Sequence, residues 1–165
     1  MRPAWCVRLG SPSDAGADTR SGVSHKSAKI AAMILSFQGR RHDAHYLGYF
    51  DCFNRALFYE AHDVLEELWL AGRGLPDDGF YKGLIQFAGA FVHLQKGRLK
   101  PSAALFRLSR KYLSAYASPH HSLDVSRVLA LGELWVGKLE AGRFEANPLD
   151  LEPPPRLELL DDASA

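Results

Sequence analysis

From Asp43 onward, apolar residues recur at steps of three and four, the spacing that gathers them on one face of an α-helix. Tyr46, Leu47, Phe50 and Phe53 form such a stripe and predict a helix over Asp43 to Asn54. Phe58, Ala61, Leu65, Leu68 and Trp69 predict a second, Phe58 to Ala71. It should end at Gly72-Arg73-Gly74-Leu75-Pro76, where glycines relax the backbone and proline cannot continue a helix. Asp77 or Asp78 can cap a third helix, Gly79 to Lys96, which Gly97 closes. Pro101 suits the first turn of a fourth, Pro101 to Ala117, because a missing N–H costs nothing there. Ser118-Pro119-His120-His121 interrupts the pattern, and Ser122 can cap a fifth helix reaching Glu140 with Leu129, Leu131, Leu134, Trp135 and Leu139 as its apolar set.

Pro148, Pro153, Pro154 and Pro155 exclude a helix over Asn147 to Pro155. Leu149, Leu151, Leu157 and Leu159 alternate nearby, as in a strap laid across a groove. No run of β-branched residues reads as a strand, and short connections favour antiparallel neighbours. The expectation is an all-α protein, an up-and-down bundle of about five helices with an extended proline-rich C-terminal strap, forming one domain over residues 40–160. Met1 to Ser27 carries no period, and residues 1–32 are expected to be a disordered extension ahead of Met33. Asp14 and Asp18 argue against an acid-poor transit peptide, and no small-residue cleavage site follows Ala28 to Phe37.

Composition narrows the class. Apolar residues at 47% and charged residues at 24% are ordinary for a globular core and exclude wholesale disorder. A net charge of +1 supplies no field to recruit nucleic acid or a membrane, so neither is expected as a partner. No apolar run is long enough to span a bilayer. Cys6 and Cys52 lack the spacing of a metal pair and read as reduced thiols in a cytoplasmic protein. Locally, no acid stands between Asp78 and Asp124, while Lys82, Lys96, Arg98, Lys100, Arg107, Arg110 and Lys111 do. Solvated helix surface explains this most simply. An anion site through Arg107, Arg110 and Lys111, or contact with a second copy in a homo-oligomer, is the sharper alternative.

The chemistry concentrates on the second and third helices. His62 and Glu66 stand one turn apart and can present lone pairs to one bound species. Gln86, Gly89 and His93 share a face of the next helix. Pairing the two helices antiparallel puts His62 level with Gln86, while His93 falls roughly 9 Å further along the axis, awkward for one tetrahedral metal. Gly83, Gly89 and Ala90 predict close approach of a backbone or a ligand to this helix. Glu60, Asp63 and Glu67 are expected on the solvated face; His42-x-x-His45 and His120-His121 could bind metal, although loops of this kind are usually just polar. A hydrogen-bonded His62–Glu66–Gln86 network that merely fixes packing would also meet the need of a buried carboxylate for a partner. H-E-x-x-H, G-x-S-x-G and phosphate-loop patterns are missing.

Phe53-Asn54 followed by Phe58-Tyr59-Glu60-Ala61-His62-Asp63-Val64-Leu65-Glu66-Glu67-Leu68-Trp69, with Gly83-Leu84-Ile85-Gln86-Phe87-Ala88 and His93, resembles a family of small, mostly bacterial helical proteins. That family is catalogued as a domain of unknown function, number 309, and is sometimes labelled as predicted metal-dependent hydrolases. The likeness spans about residues 53–97; Ala56 stands where the family usually has a turn glycine, and Arg98 to Pro101 replaces its Gly-Asn and small-residue run. The resemblance implies a compact helical bundle and carries no established activity. The resulting expectation is a pocket in which His62 and Glu66 are metal ligands and the candidate catalytic groups. Gln86 and His93 would bind a small-molecule ligand, a divalent metal ion would be the cofactor, and hydrolysis would be the reaction. The competing expectation is a non-catalytic interaction or structural bundle.

Overall fold

The computed structural model describes residues 24–160, which fold into six α-helices. They are α1 His25–Ile34, α2 Ala44–Asn54, α3 Phe58–Ala71, α4 Asp78–Gln95, α5 Leu99–Leu113 and α6 Val125–Ala141. From α2 to α6 each helix packs on its neighbour in sequence, the arrangement of an up-and-down bundle, and α1 lies against α2. Among the described residues no strand forms; only isolated bridges tie Leu123 to His120 and to Leu159.

α1 corrects one expectation. The extension foreseen over residues 1–32 is helical from His25 onward; residues 1–23, with Cys6, lie outside those described. The Ser24 hydroxyl caps the helix by accepting from the Ser27 N–H at 3.1 Å. Ile30 and Ile34, one turn apart, are buried against the bundle. Gly48 on α2 makes that approach possible, since a Cβ there would stand 2.8 Å from Ile34 Cγ2.

Other boundaries follow local chemistry. Asp43 caps α2 through the His45 N–H at 2.8 Å. The turn between α2 and α3 places Ala56 at φ +58, in the left-handed region that glycine favours. α4 closes on Gly97 at φ +66, with the Arg98 N–H donating to the His93 carbonyl at 2.9 Å in a Schellman cap. α5 begins at Leu99, so Pro101 still falls in its first turn. α6 starts later than expected: Ser122 has φ +62 and cannot cap, and Asp124 does so by accepting from the Arg127 N–H at 3.0 Å. The face that α6 buries is Val125, Val128, Gly132, Trp135 and Leu139, leaving Leu134 51% exposed.

The core is aromatic. Phe53, Phe58, Phe87, Phe91, Phe106 and Trp135 contact one another in edge and stacked pairs through the centre of the bundle. Tyr49, fully buried, donates its hydroxyl proton to the Leu84 carbonyl at 2.8 Å. What approaches the glycines of α4 is α5. A Cβ on Gly83 would meet Leu113 Cγ at 2.6 Å, and one on Gly89 would meet Leu105 Cδ1 at 3.1 Å.

The C-terminal segment makes a 3-10 turn at Pro148–Asp150 and then runs extended, with Leu157 and Leu159 buried and Leu151 exposed. Asn54 holds it in place. Its amide donates to the Leu157 carbonyl at 2.7 Å and accepts from the Leu157 N–H at 2.8 Å.

Candidate functional site

α3 carries the site because its buried stripe and its charged stripe meet at His62. Ala61, Leu65 and Trp69 turn into the core, and His62 and Glu66, one turn apart, come down at the edge of that face. Both are buried, at 3% and 5% exposure. Asp63, expected in solvent, belongs with them: His62, Asp63 and Glu66 each offer a donor atom within 4.8 Å of the others. Glu60 and Glu67 face outward, toward Lys29 and His45 respectively.

A cation already sits among these carboxylates. Lys26 of α1 places its Nζ 2.8 Å from Glu66 Oε2 and 3.0 Å from Asp63 Oδ1. Burial disfavours the charged ammonium, but the hydrogen bonds and charges of Glu66 and Asp63 outweigh it and raise the lysine pKa. Burial likewise pushes the Asp63 carboxyl up, yet its bonds with His62 and Lys26 hold it below the usual carboxylate range. Asp63 Oδ1 lies 3.1 Å from His62 Nδ1. An ionised carboxylate only accepts, so His62 Nδ1 bears a proton toward Asp63, and Nε2 is enclosed in the interior.

α4 supplies the other polar groups. Gln86 is fully buried, and among the described residues neither its amide oxygen nor its nitrogen has a hydrogen-bond partner. The hydrogen-bonded His62–Glu66–Gln86 network therefore does not form. His93 lies near the far end of α4 and stays outside the donor trio on α3. Its Nδ1 is buried without a hydrogen-bond partner among the described residues. Burial first, then the positive charges of Arg98 and Lys96, lower its pKa, so the ring is neutral near pH 7. Ser102 Oγ on α5 is another such atom, while Ser109 Oγ, one heptad on, donates to the Gly83 carbonyl at 2.7 Å.

Residues 46–105 match the family model described as "Domain of unknown function (DUF309)". This stretch is a DUF309 domain. Its limits run from α2 into α5, so the domain holds His62, Asp63, Glu66, Gln86 and His93, while Lys26 comes from outside it. No curated protein and no solved structure matches the chain.

The remaining sequence candidates resolve differently. His42 Nε2 lies 3.1 Å from Ser122 Oγ, whereas His45 is held between Asp43 and Glu67, so the two rings serve separate contacts. Arg107 and Arg110 pair with Glu140 and Glu133 of α6, at 2.6 and 3.0 Å, which weakens the anion-site reading. No described helix is long and apolar enough to cross a membrane. Two participants escaped the sequence reading. Asp63 is adjacent to His62 and three residues before Glu66, a spacing that could have enrolled it. Lys26 is brought in by tertiary packing alone.

Proposed function

We propose that the DUF309 domain binds a divalent cation at His62, Asp63 and Glu66, with Lys26 as a built-in competitor for the same place. The observation that carries this reading is the ammonium bridging two carboxylates beside an oriented imidazole: the cluster is formed around a positive charge. One nitrogen and two carboxylate donors on one helical turn suit zinc or manganese by donor type. Coordination through His62 Nδ1, the nitrogen that faces Asp63, requires that nitrogen to give up its proton, so the hydrogen bond to Asp63 is exchanged for a bond to the ion. When bound, such a cation supplies Lewis-acid chemistry of the kind that activates water for hydrolysis. Gln86 and His93, with unpaired buried polar atoms, would take the polar part of a small-molecule ligand. Cys52 is buried, its thiol pushed up to about 11 by burial, then Asp51 and Glu60, which makes it an inert core residue and no ligand or nucleophile of the site.

Calorimetric titration of untagged protein with Zn²⁺ or Mn²⁺ tests the reading. His62→Ala should abolish binding at this site, and Lys26→Met should tighten it by about tenfold or more by removing the competing charge. A second reading is that the Lys26 bridge simply fastens α1 to α3. It predicts that Lys26→Met lowers the melting temperature while neither variant changes metal binding, and that result would refute the metal proposal.

A further inference from the structure

A second set of donors gathers where the turn before α4 meets the loop before α6, and shares no residue with the trio on α3. Asp77, at the start of α4, accepts one imidazole on each oxygen. His120 Nε2 is 2.8 Å from Oδ1, and His121 Nε2 is 2.7 Å from Oδ2. The three donor atoms all lie within 4.8 Å of one another. Neighbouring residues of an extended chain point to opposite sides. Here His121 takes φ +45 and Ser122 φ +62, and the two rings meet with centroids 4.4 Å apart, both turned to one carboxylate.

The surroundings hold this arrangement in place. His120 packs on Phe80 and Tyr116, with centroids 4.6 and 5.0 Å away, while His121 stacks on Tyr81 with planes 2° apart. Tyr46 donates its hydroxyl proton to the His121 carbonyl at 3.1 Å, and His120 and Leu123 exchange backbone hydrogen bonds. Asp77 also forgoes its local duty. It occupies the N-cap of α4, where an aspartate side chain ordinarily accepts from the first-turn N–H groups, yet it makes no capping bond. Both oxygens are committed to the histidines instead.

We propose that Asp77, His120 and His121 form a transition-metal site, a two-histidine, one-carboxylate centre that takes Zn²⁺ or a chemically similar ion. Two borderline nitrogen donors and one oxygen select zinc, cobalt or nickel over calcium and magnesium. Coordination requires each neutral ring to carry its proton on Nδ1, so the two hydrogen bonds to Asp77 are exchanged for bonds to the ion. All three side chains are about one-third exposed, which leaves room for water in the remaining positions. His120 and His121 lie beyond residue 105 while Asp77 lies within the DUF309 match, and none of the three belongs to the trio on α3. An ion there would cross-link the α3–α4 turn to the α5–α6 loop, and would stabilise the fold by mass action.

Titration of the untagged full chain with Co²⁺, followed by its visible ligand-field absorption and by displacement with Zn²⁺, tests the proposal. His62→Ala should keep the bands of this site, whereas His120→Ala/His121→Ala should lose them together with any zinc-dependent rise in melting temperature. Asp77→Asn, which keeps a polar group of the same shape, should weaken Co²⁺ binding about tenfold or more, covering the case in which the double variant folds poorly. The proposal is overturned if the wild type shows neither bands nor a zinc-dependent melting shift. It is equally overturned if all cobalt binding disappears with His62→Ala, or if Asp77→Asn binds like the wild type.

Discussion

Gln86→Leu removes two polar atoms from a position with no exposure and no hydrogen-bond partner among the described residues, and puts a side chain of nearly equal volume in their place. A buried polar group without a partner costs about 1–3 kcal/mol. Relieving two such groups returns about 2–6 kcal/mol, and subtracting up to about 1.5 kcal/mol for the changed branching in a close-packed core leaves an expected gain of at least about 0.5 kcal/mol. For a chain of this size each kcal/mol corresponds to roughly 2–4 °C in melting temperature. Urea unfolding followed by helical circular dichroism measures it, and an unchanged slope would show that the two native states are equally compact. The same variant should bind any polar ligand of the site more weakly, because proteins retain such costly groups where function needs them. A loss of more than about 1 kcal/mol would refute the reasoning. It would mean that the amide is hydrogen-bonded in the native protein.

Ala56→Gly should stabilise the protein by about 0.5–1 kcal/mol, since relief of the left-handed conformation outweighs the added unfolded-chain entropy; a destabilised variant in urea would contradict this. Asn54→Ala should cost about 1–3 kcal/mol and speed hydrogen exchange at the Leu157 amide, the group that Asn54 binds; unchanged protection would assign the strap's anchorage to leucine burial alone. The His93 ring resists protonation in the native state, whereas the unfolded ring takes a proton below about pH 6.5. The unfolded chain then holds more protons, so stability should fall as pH drops through 6.5 toward the lower native value and level off below it. His93→Gln should flatten that part of the curve. Asp63 works at lower pH: its native value lies below the ordinary 3.8, so its contribution is present above 3.8 and lost on further acidification. Asp63→Asn should therefore differ from the wild type less at pH 3 than at pH 7.

The helices that were legible in the sequence are those whose stripes combine aromatics with a strong stop. α3 begins at Phe58 and ends at Ala71 because a left-handed turn precedes it and Gly72 follows, both local features. In α6, Trp135 and Leu139 of the expected set are buried and Leu129 and Leu131 half-buried, while Leu134 is exposed. Leucines 129, 131 and 134 drew the stripe, but the spacing that repeats is Val125, Val128, Gly132, Trp135, Leu139, where a glycine occupies a core position. α1 offers only Ile30 and Ile34 to a pattern search, and its reason to fold lies in Gly48 and in two carboxylates some forty residues away. The site divides in the same way. His62 with Glu66 is a relation along one helix, visible in spacing. Lys26 on those acids, and Asp77 between two histidines of a distant loop, exist only after the chain has folded.

The Lys26 bridge also decides how the cation site can be used. A carboxylate as buried as that of Glu66, with a side chain 7% exposed, is costly to ionise without a partner, and Lys26 supplies one. In the proposed metal site a divalent ion would compete with that tethered ammonium for the same carboxylates. The ammonium is carried by α1, which the bundle holds through Ile30 and Ile34. Two cations competing for one pair of carboxylates are thermodynamically linked, and the linkage is reciprocal: α1 weakens metal binding by the factor by which metal loosens Lys26. Saturating Zn²⁺ should accordingly increase hydrogen exchange in α1 of the wild type. It should leave exchange in α1 of Lys26→Met unchanged, because that variant has no ammonium to displace. Zinc binding to the α3 trio with undiminished α1 protection in the wild type would separate the two events and show that the ion and the lysine do not share a place.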